Sequence, residues 1–551
     1  METRVVRVDP YDPRQDLLQP CAAALREGGL VAFPTETVYG LGANALDPLA
    51  VSKIFNAKGR PQDNPLIVHV SRPESVALLA REISPTAQKL METFWPGPLT
   101  LLFPKSDLVP PVVTAGLSTV AIRMPDHPVA HLLIDLAGVP VAAPSANISG
   151  SPSPTTFEET HADLDGKVDY IIDGGHTGIG VESTVLDISG PIPVVLRPGG
   201  LSVEELQAVL GEVKVAGKMA GSEPAGGAGA SSHRPANPEA GGMSGGERGG
   251  ETRSEEFIGT PPSPGMKYRH YAPKAPVFLA KGDPEEQSRS IRLFALKSLI
   301  SGKRIAVLAS SENARRYSSL VGSYPGSFHV LELGPRSDLA PVAARLFSSL
   351  RYADSLGADI ILAESFPEGG LGLAIQNRLQ RASGGKAVPG PRDAALNVLM
   401  VCSGNTCRSP MAEALMRGLW ERSGDGLPRL QVWSRGTSAL PGFPASHEAV
   451  ESMAARGLDL SKHMSAPVSE ADLEAADLVL TMTGAHRNAL VGRYPAYAAK
   501  VRTLADVSEG AVRGDVEDPF GQDQSQYDRA AETIERGLSA LIARLEDLLG
   551  D

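Results

Sequence analysis

Between Val213 and Glu256 the chain contains no aromatic residue, no Leu and no Ile; Gly, Ala, Ser, Pro and Glu fill the stretch. Such a segment cannot bury enough apolar surface to offset the entropy of ordering it, so no single core can run through the whole chain. The 551 residues therefore read as a series of domains, three or four at roughly 100–200 residues each. Residues 1–212 alternate short apolar runs with helical patterns, the signature of an α/β domain with a sizeable sheet. Strands are expected at Leu30–Phe33, Leu66–Val70, Leu99–Phe103, Val120–Ile122, Val139–Ala143, Tyr170–Ile172 and Val185–Ile188. A flexible linker over 213–274 follows, and its end, 263–273, reads SPGMKYRHYAP, an aromatic and basic segment suited to docking. A second α/β domain occupies 275–385, a short joint 386–396, and a last domain 397–551.

Composition narrows the function classes. The formal net charge is −12 and no basic tract stands out, which argues against strong non-specific nucleic-acid binding. Three cysteines, Cys21, Cys402 and Cys407, are too few for a disulfide scaffold, and two of them lie five residues apart. The start, METRVVRVDP, lacks the apolar core of a signal peptide, and no apolar run of about 18 residues occurs. The expected protein does not enter a membrane and resides in the cytoplasm.

The sharpest motif is VLMVCSGNTCRSP at Val398–Pro410. An apolar strand runs into a five-residue loop between Cys402 and Arg408, and a helix begins near Pro410. Backbone N–H groups of such a loop can wrap a phosphate, and the helix N-terminus adds positive potential that favours the thiolate of Cys402. Arg408 offers a bidentate fork to phosphate oxygens. Gly404 permits unusual backbone angles, Asn405 can bond across the loop, and Ser409 can donate to the thiolate. Downstream, Asp518-Pro519-Phe520-Gly521 supplies a general acid on a proline-stiffened loop. Cysteine and arginine at this spacing also suit a plain strand–loop–helix turn, and Asp518 a plain Asp-Pro turn.

In the amino-terminal domain, strands end in hydroxyl or basic side chains: FPTETVYGLG (33–42), KGRP (58–61), NPL (64–66) with His69 following, STVAIRMP (118–125), APSANISG (143–150), ESTV (182–185) and LRPG (196–199). Strand ends gathered on one side of a sheet make a polar cleft. Lys58, Arg60, Arg123 and Arg197 suit a triphosphate and a carboxylate, and no Walker-type glycine loop is present. The residues alone indicate an anionic ligand such as a nucleotide, or else polar residues capping turns.

Taken in order, these motifs resemble the threonylcarbamoyl-AMP synthases, and the resemblance extends through SPGMKYRHYAP and LGLAIQNR (371–378), matching the long two-domain form of that family with its second, Rossmann-like α/β domain. The carboxy-terminal motifs resemble the low-molecular-weight protein phosphatases, with their parallel sheet. The first resemblance implies that L-threonine, bicarbonate or CO₂, and ATP with Mg²⁺ give threonylcarbamoyl-AMP, which a tRNA-modifying threonylcarbamoyl transferase complex consumes. It implies that Thr37, His69, Arg123, Ala143 and Ser183 line a threonine pocket. Lys58, Arg60, Asn64, Thr119, Ser145, Ser153 and Arg197 would line a nucleotide pocket; no resident metal site is expected. The second resemblance implies that Cys402 attacks phosphorus in a phosphorylated protein, and that Asp518 protonates the leaving group and then activates water. Cys407 would form a protective disulfide with Cys402 on oxidation. Thr406, where tyrosine-specific relatives carry a bulky apolar residue, and Gly521 after Phe520 resemble the protein-arginine phosphatase branch. Alternatives are an RNA-binding amino-terminal module, which the net charge disfavours, and a carboxy-terminal tyrosine phosphatase or arsenate reductase. A thioredoxin-linked reductase needs further cysteines, and none follows Cys407.

Overall fold

The computed structural model describes residues 2–217, 271–423 and 427–550. They fall into two compact units: residues up to Ser149 with those from Ser153 to 217, and Gly150–Pro152 with the residues from 271 onward. None of the described helices is long and apolar enough to cross a membrane.

The first unit is built on eleven strands: β1 (Arg4–Arg7), β2 (Val31–Phe33), β3 (Gly40–Asn44), β4 (Ile67–His69), β5 (Leu99–Pro104), β6 (Thr119–Arg123), β7 (Val141–Ala142), β8 (Tyr170–Asp173), β9 (Thr184–Asp187), β10 (Val194–Arg197) and β11 (Lys214–Val215). Their order is β1-β8-β2-β3-β7-β4-β6-β5-β9-β10-β11, with parallel and antiparallel neighbours mixed. The apolar runs read from sequence fall on these strands. Four others were not among those named, one of them β10, which carries the LRPG motif and runs antiparallel to β9. RVVR forms β1 along β8. The residues after the FPTET turn return as β3, antiparallel to β2. Val213–Val215, assigned above to the linker, instead belong to the sheet: Lys214 and Val215 pair in parallel with Val194 and Val195, and Val213 is buried. The apolar–polar–apolar alternation of Val-Lys-Val supplies the strand face that the residues after it lack. Residues 218–270, most of the linker and of its docking segment, lie outside the described residues.

Local signals place the functional ends of these elements. The helix Pro48–Lys58 starts on Asp47, whose side chain accepts from the Leu49 N–H, with proline in the first turn. It stops at Gly59, which takes the left-handed conformation (φ 59°) and aims Lys58 and Arg60 into the unit.

The second unit contains two all-parallel sheets. One has β12 (Val277–Leu279), β13 (Ile305–Ser310), β14 (Phe328–Gly334) and β15 (Ile360–Ala363) in the order β12-β15-β13-β14; the other has β16 (Ala395–Cys402), β17 (Arg429–Gly436), β18 (Leu478–Thr481) and β19 (Val501–Thr503) in the order β17-β16-β18-β19. One continuous apolar core runs from Ala280 to Leu549 and includes the helices Pro284–Ile300 and Gln524–Leu549. Lys297 on the first of these helices pairs with Asp477 (3.0 Å) and donates to the Ala395 carbonyl at the start of β16 (2.9 Å). Buried Arg292 donates to the Gly550 carbonyl. In the LGLAIQNR helix (Gly372–Ser383), Arg378 is fully buried with its guanidinium over the Tyr271 ring, which itself stacks on Phe347.

At the carboxyl ends of β13 and β15, Glu364 is fully buried and accepts from the Ser310 hydroxyl (2.7 Å) and N–H (3.2 Å), the Tyr317 hydroxyl (2.8 Å) and Arg336 (2.6 Å). Removing one member of a buried ion pair leaves the other uncompensated. Glu364→Ala should therefore destabilise the second unit by about 3–5 kcal/mol, seen as a lowered thermal midpoint by calorimetry; an unchanged midpoint would show that Arg336 finds another partner.

Candidate active sites

In the first unit pairing and hydrogen bonds bring Thr37, His69, Arg123, Ser183 and Arg197 together. β4 runs parallel to β6 with His69 opposite Arg123, and β5 runs antiparallel to β6 with Thr100 opposite Arg123. Arg123, 3% exposed, donates to the Thr37 hydroxyl (2.9 Å) and the Gly97 carbonyl (3.2 Å) and pairs with Glu36 (2.5 Å). Burial and the adjacent Arg123 push the His69 pKa down to about 3, so its imidazole is neutral; its Nδ1 is buried without a hydrogen-bond partner. Ser183 shares a hydrogen bond with Thr100 (2.8 Å) and accepts from Arg197 at both its carbonyl and its hydroxyl. Ser153 donates to Glu182 (2.6 Å). Ala143, directly after β7, is buried and donates its N–H to the Ile67 carbonyl.

Side chains on one strand face repeat every second residue. On β6 this aligns Arg123, Ala121 and Thr119. The residues between the polar ends, Ile67, Leu102, Ala121 and Val185, form a small buried apolar cluster with Leu196 against it. The parallel register sets Ile67 opposite Ala121 and His69 opposite Arg123, and just before β4 Arg60 donates to the carbonyls of Asn64 and Pro65. The face is thus an apolar floor with a polar group at each end, about 13 Å apart along a five-residue strand. Lys58 meanwhile donates to the carbonyls of Ser145 and Asn147, and the Ser145 hydroxyl donates to the Asn147 side chain (2.5 Å).

In the second unit, β16 ends at Cys402 and the helix Arg408–Arg422 begins six residues on. Cys402 Sγ lies 3.0 Å from the Ser409 hydroxyl. Asn405 holds the loop from inside: its Nδ2 donates to Ser409 and Ser434 (3.0 Å each), its Oδ1 accepts from the Ala466 N–H (2.9 Å), and His463 Nε2 lies 2.7 Å from its carbonyl. Arg408 donates to Asp518 (2.6 Å) and to the Val516 carbonyl (3.1 Å); Asp518 is half-exposed while Arg408 is buried. Thr406 is half-buried beside Cys407, whose thiol lies 3.4 Å from the Tyr527 hydroxyl. All three cysteines are free. The loop corrects one expectation. The left-handed angle in this loop falls on Asn405 (φ 55°) and not on Gly404, where unusual backbone angles were expected, because the Asn405 side chain makes the local bonds that hold a non-glycine residue there.

Family models match in three places: one described as telomere recombination over residues 23–199, the threonylcarbamoyl-AMP synthase C-terminal domain over 201–384, and the low molecular weight phosphotyrosine protein phosphatase over 397–548. The threonylcarbamoyl-AMP synthase of Pyrococcus abyssi is 47% identical over 66% of this chain and 93% of its own length. The chain belongs to the threonylcarbamoyl-AMP synthase family. The crystal structure of P. abyssi Sua5 complexed with L-threonine shares 44% identity with a TM-score of 0.59, covering 70% of this chain and 99% of that one. Beyond the synthase region, the probable low molecular weight protein-tyrosine-phosphatase EpsP of Ralstonia nicotianae is 37% identical over 27% of this chain and 97% of its own length. The protein is therefore two enzymes in one chain, a synthase that uses ATP and a phosphatase.

For this synthase–phosphatase, sequence reading missed several residues that shape the sites. Asn147 stands with Lys58 and Ser145, inside the quoted motif APSANISG but unassigned. Glu36 and Thr100 meet Arg123 and Ser183 only through the fold. A Cβ on Gly199 would lie 2.3 Å from the Glu182 carbonyl oxygen and the Ser183 backbone, so the LRPG turn must carry glycine to pack there. Nothing in the sequence marks Gly436, the last residue of β17, yet a Cβ on it would lie 2.4 Å from the Ser403 carbonyl oxygen and 3.0 Å from the Asn405 nitrogen. Gly436→Ala should push the phosphate loop out of register and lower phosphatase kcat/KM by roughly 10²-fold, as a displacement of about 1 Å does in positioned sites. Synthase turnover in the same preparation should stay at its wild-type rate; equal phosphatase activity in variant and wild type would show the loop to be tolerant.

Proposed function

We propose that the first unit joins L-threonine, bicarbonate or CO₂, and Mg·ATP to give threonylcarbamoyl-AMP and pyrophosphate, for transfer to tRNA by a separate threonylcarbamoyl transferase complex. The arrangement that carries this reading is the apolar floor between two polar ends. Arg123, Thr37, neutral His69 and Ser183 at one end suit the carboxylate, hydroxyl and amine of threonine, the ligand in the P. abyssi crystal structure. Arg60, Asn64 and Thr119 at the other, with Lys58 and Ser145, suit the nucleotide. Ser153 and Arg197, assigned by resemblance to the nucleotide, bond Glu182 and Ser183 and so flank the threonine end, where a carbamate meets the α-phosphate. The magnesium ion would arrive on the triphosphate, and catalysis would consist of positioning and neutralising charge. Arg60→Ala and Arg197→Ala should each abolish threonine- and bicarbonate-dependent pyrophosphate release while hydrolysis of aryl phosphate continues. Undiminished release in both variants would refute the assignment.

The second unit, in the same reading, hydrolyses phosphoarginine in proteins through a phosphocysteine. Cys402 attacks phosphorus, the loop N–H groups and Arg408 hold the equatorial oxygens, and Asp518, released from Arg408, protonates the leaving nitrogen. The half-buried Thr406, small and polar next to the nucleophile, leaves room for a guanidinium. Cys402→Ser should abolish hydrolysis, and Asp518→Asn should slow it by roughly 10²–10⁴-fold. Thr406→Ile should shift preference from phosphoarginine toward phosphotyrosine proteins. An unchanged ratio of the two rates would overturn the phosphoarginine assignment and leave the nucleophile in place.

A further inference from the structure

Glu36 is the one carboxylate among the described residues that pairs with Arg123. Its side chain is 12% exposed, and apart from that ion pair neither carboxylate oxygen has a hydrogen-bond partner. Burying a carboxylate with most of its acceptor capacity unused is costly, and such groups are kept where a ligand or a reaction uses them. The backbone is firmly held: the carbonyls of Glu36 and Thr37 accept from the N–H groups of Ile179 (2.7 Å) and Gly180 (3.0 Å). The other ionisable group facing Glu36 is His127, capping the helix Pro128–Ala137; the carboxylate raises its pKa, but burial outweighs this and lowers it.

We infer that Glu36 is a catalytic residue of the synthase, accepting the proton that the threonine ammonium must lose before it can form a carbamate. The inference rests on the threonine and bicarbonate reading above. A carboxylate and a guanidinium side by side match an α-amino acid, with its carboxylate on Arg123 and its ammonium on Glu36. A protonated amine has no lone pair to attack carbon. Glu36 takes one proton; the nitrogen lone pair forms the N–C bond to bicarbonate; the C–OH bond breaks, and the departing hydroxide leaves as water with a second N–H proton. Threonine zwitterion, bicarbonate and the Glu36 carboxylate become threonine carbamate, water and the Glu36 carboxylic acid, with atoms and charge conserved. The change also keeps the pocket balanced. The substrate gains negative charge as the carbamate forms, and Arg123, freed from its ionised partner, is there to meet it. Glu36 then returns its proton to solvent.

The reverse half of the reaction separates this role from a structural one. Pyrophosphorolysis of threonylcarbamoyl-AMP breaks the acyl-phosphate link and makes ATP with no proton taken from an ammonium. In the full chain, Glu36→Gln should lower the threonine- and bicarbonate-dependent forward rate by roughly 10²–10⁴-fold. Its ATP formation from threonylcarbamoyl-AMP and pyrophosphate should stay within a few-fold of wild type. A forward rate equal to wild type, or an equal loss in both directions, overturns the assignment. A wild-type protein without threonine-dependent pyrophosphate release would instead remove the reading on which it rests, and this inference with it.

Discussion

Arg123 is a fixed charge at the end of an interior strand, and the first unit is arranged around the need to satisfy it. A lone buried guanidinium is prohibitively costly, so partners converge on it, Thr37 and Glu36 from the turn after β2 and the Gly97 carbonyl from the segment before β5, while the flanking strands set His69 and Thr100 opposite it. Each of those segments is positioned by sheet pairing. The recognition end of the cleft is therefore no more adjustable than the sheet itself. The neutral state of His69 follows from the same source, because burial and a permanent neighbouring cation both oppose its protonation.

The phosphatase site solves a different problem with the same kind of scaffold. Its loop must present N–H groups inward, a conformation that a chain does not hold unaided. Asn405 supplies the bracing, reaching Ser409, Ser434 and Ala466 at once. Ser434 passes the connection on to Glu413 on the helix that the loop caps. Gly436 is the passive counterpart, letting β17 come against the loop without a side chain between. Cys402, the proposed nucleophile, sits where strand, loop and helix are all tied down, while the carboxylate of Asp518 remains half-exposed on a loop of its own.

Much of this was legible in the residues. Apolar runs located most strands, and the side chains named in the ordered motifs stand at strand ends and in the loops that follow them, because polar groups at strand ends stand out in the sequence. What stayed hidden depends on pairing. That Arg197 bonds Ser183 depends on which strands adjoin, and no spacing along the chain encodes that. Glu36 lies within a quoted motif but acquires its meaning only when β6 delivers Arg123. Strands β1 and β11 are short and bear charge, so their hydrogen bonds to neighbours, rather than their own composition, make them strands. The bracing role of Asn405 was legible, but that the left-handed angle falls on it and not on Gly404 depends on a side-chain network assembled by the fold.

The common core shared by the helices Pro284–Ile300 and Gln524–Leu549, sealed by Lys297 on Asp477 and Arg292 on the Gly550 carbonyl, has a consequence for how this protein can be taken apart. The boundary that composition draws, between the glycines after Ser383 and the start of β16, is a boundary of chain but not of packing. A gene cut there would yield two pieces, each with a raw apolar face where the other had been. The phosphatase would then be supplied in step with the synthase, one copy for one copy. Evolution could retune the balance of the two activities only by changing a catalytic site, never by changing the dose of one enzyme.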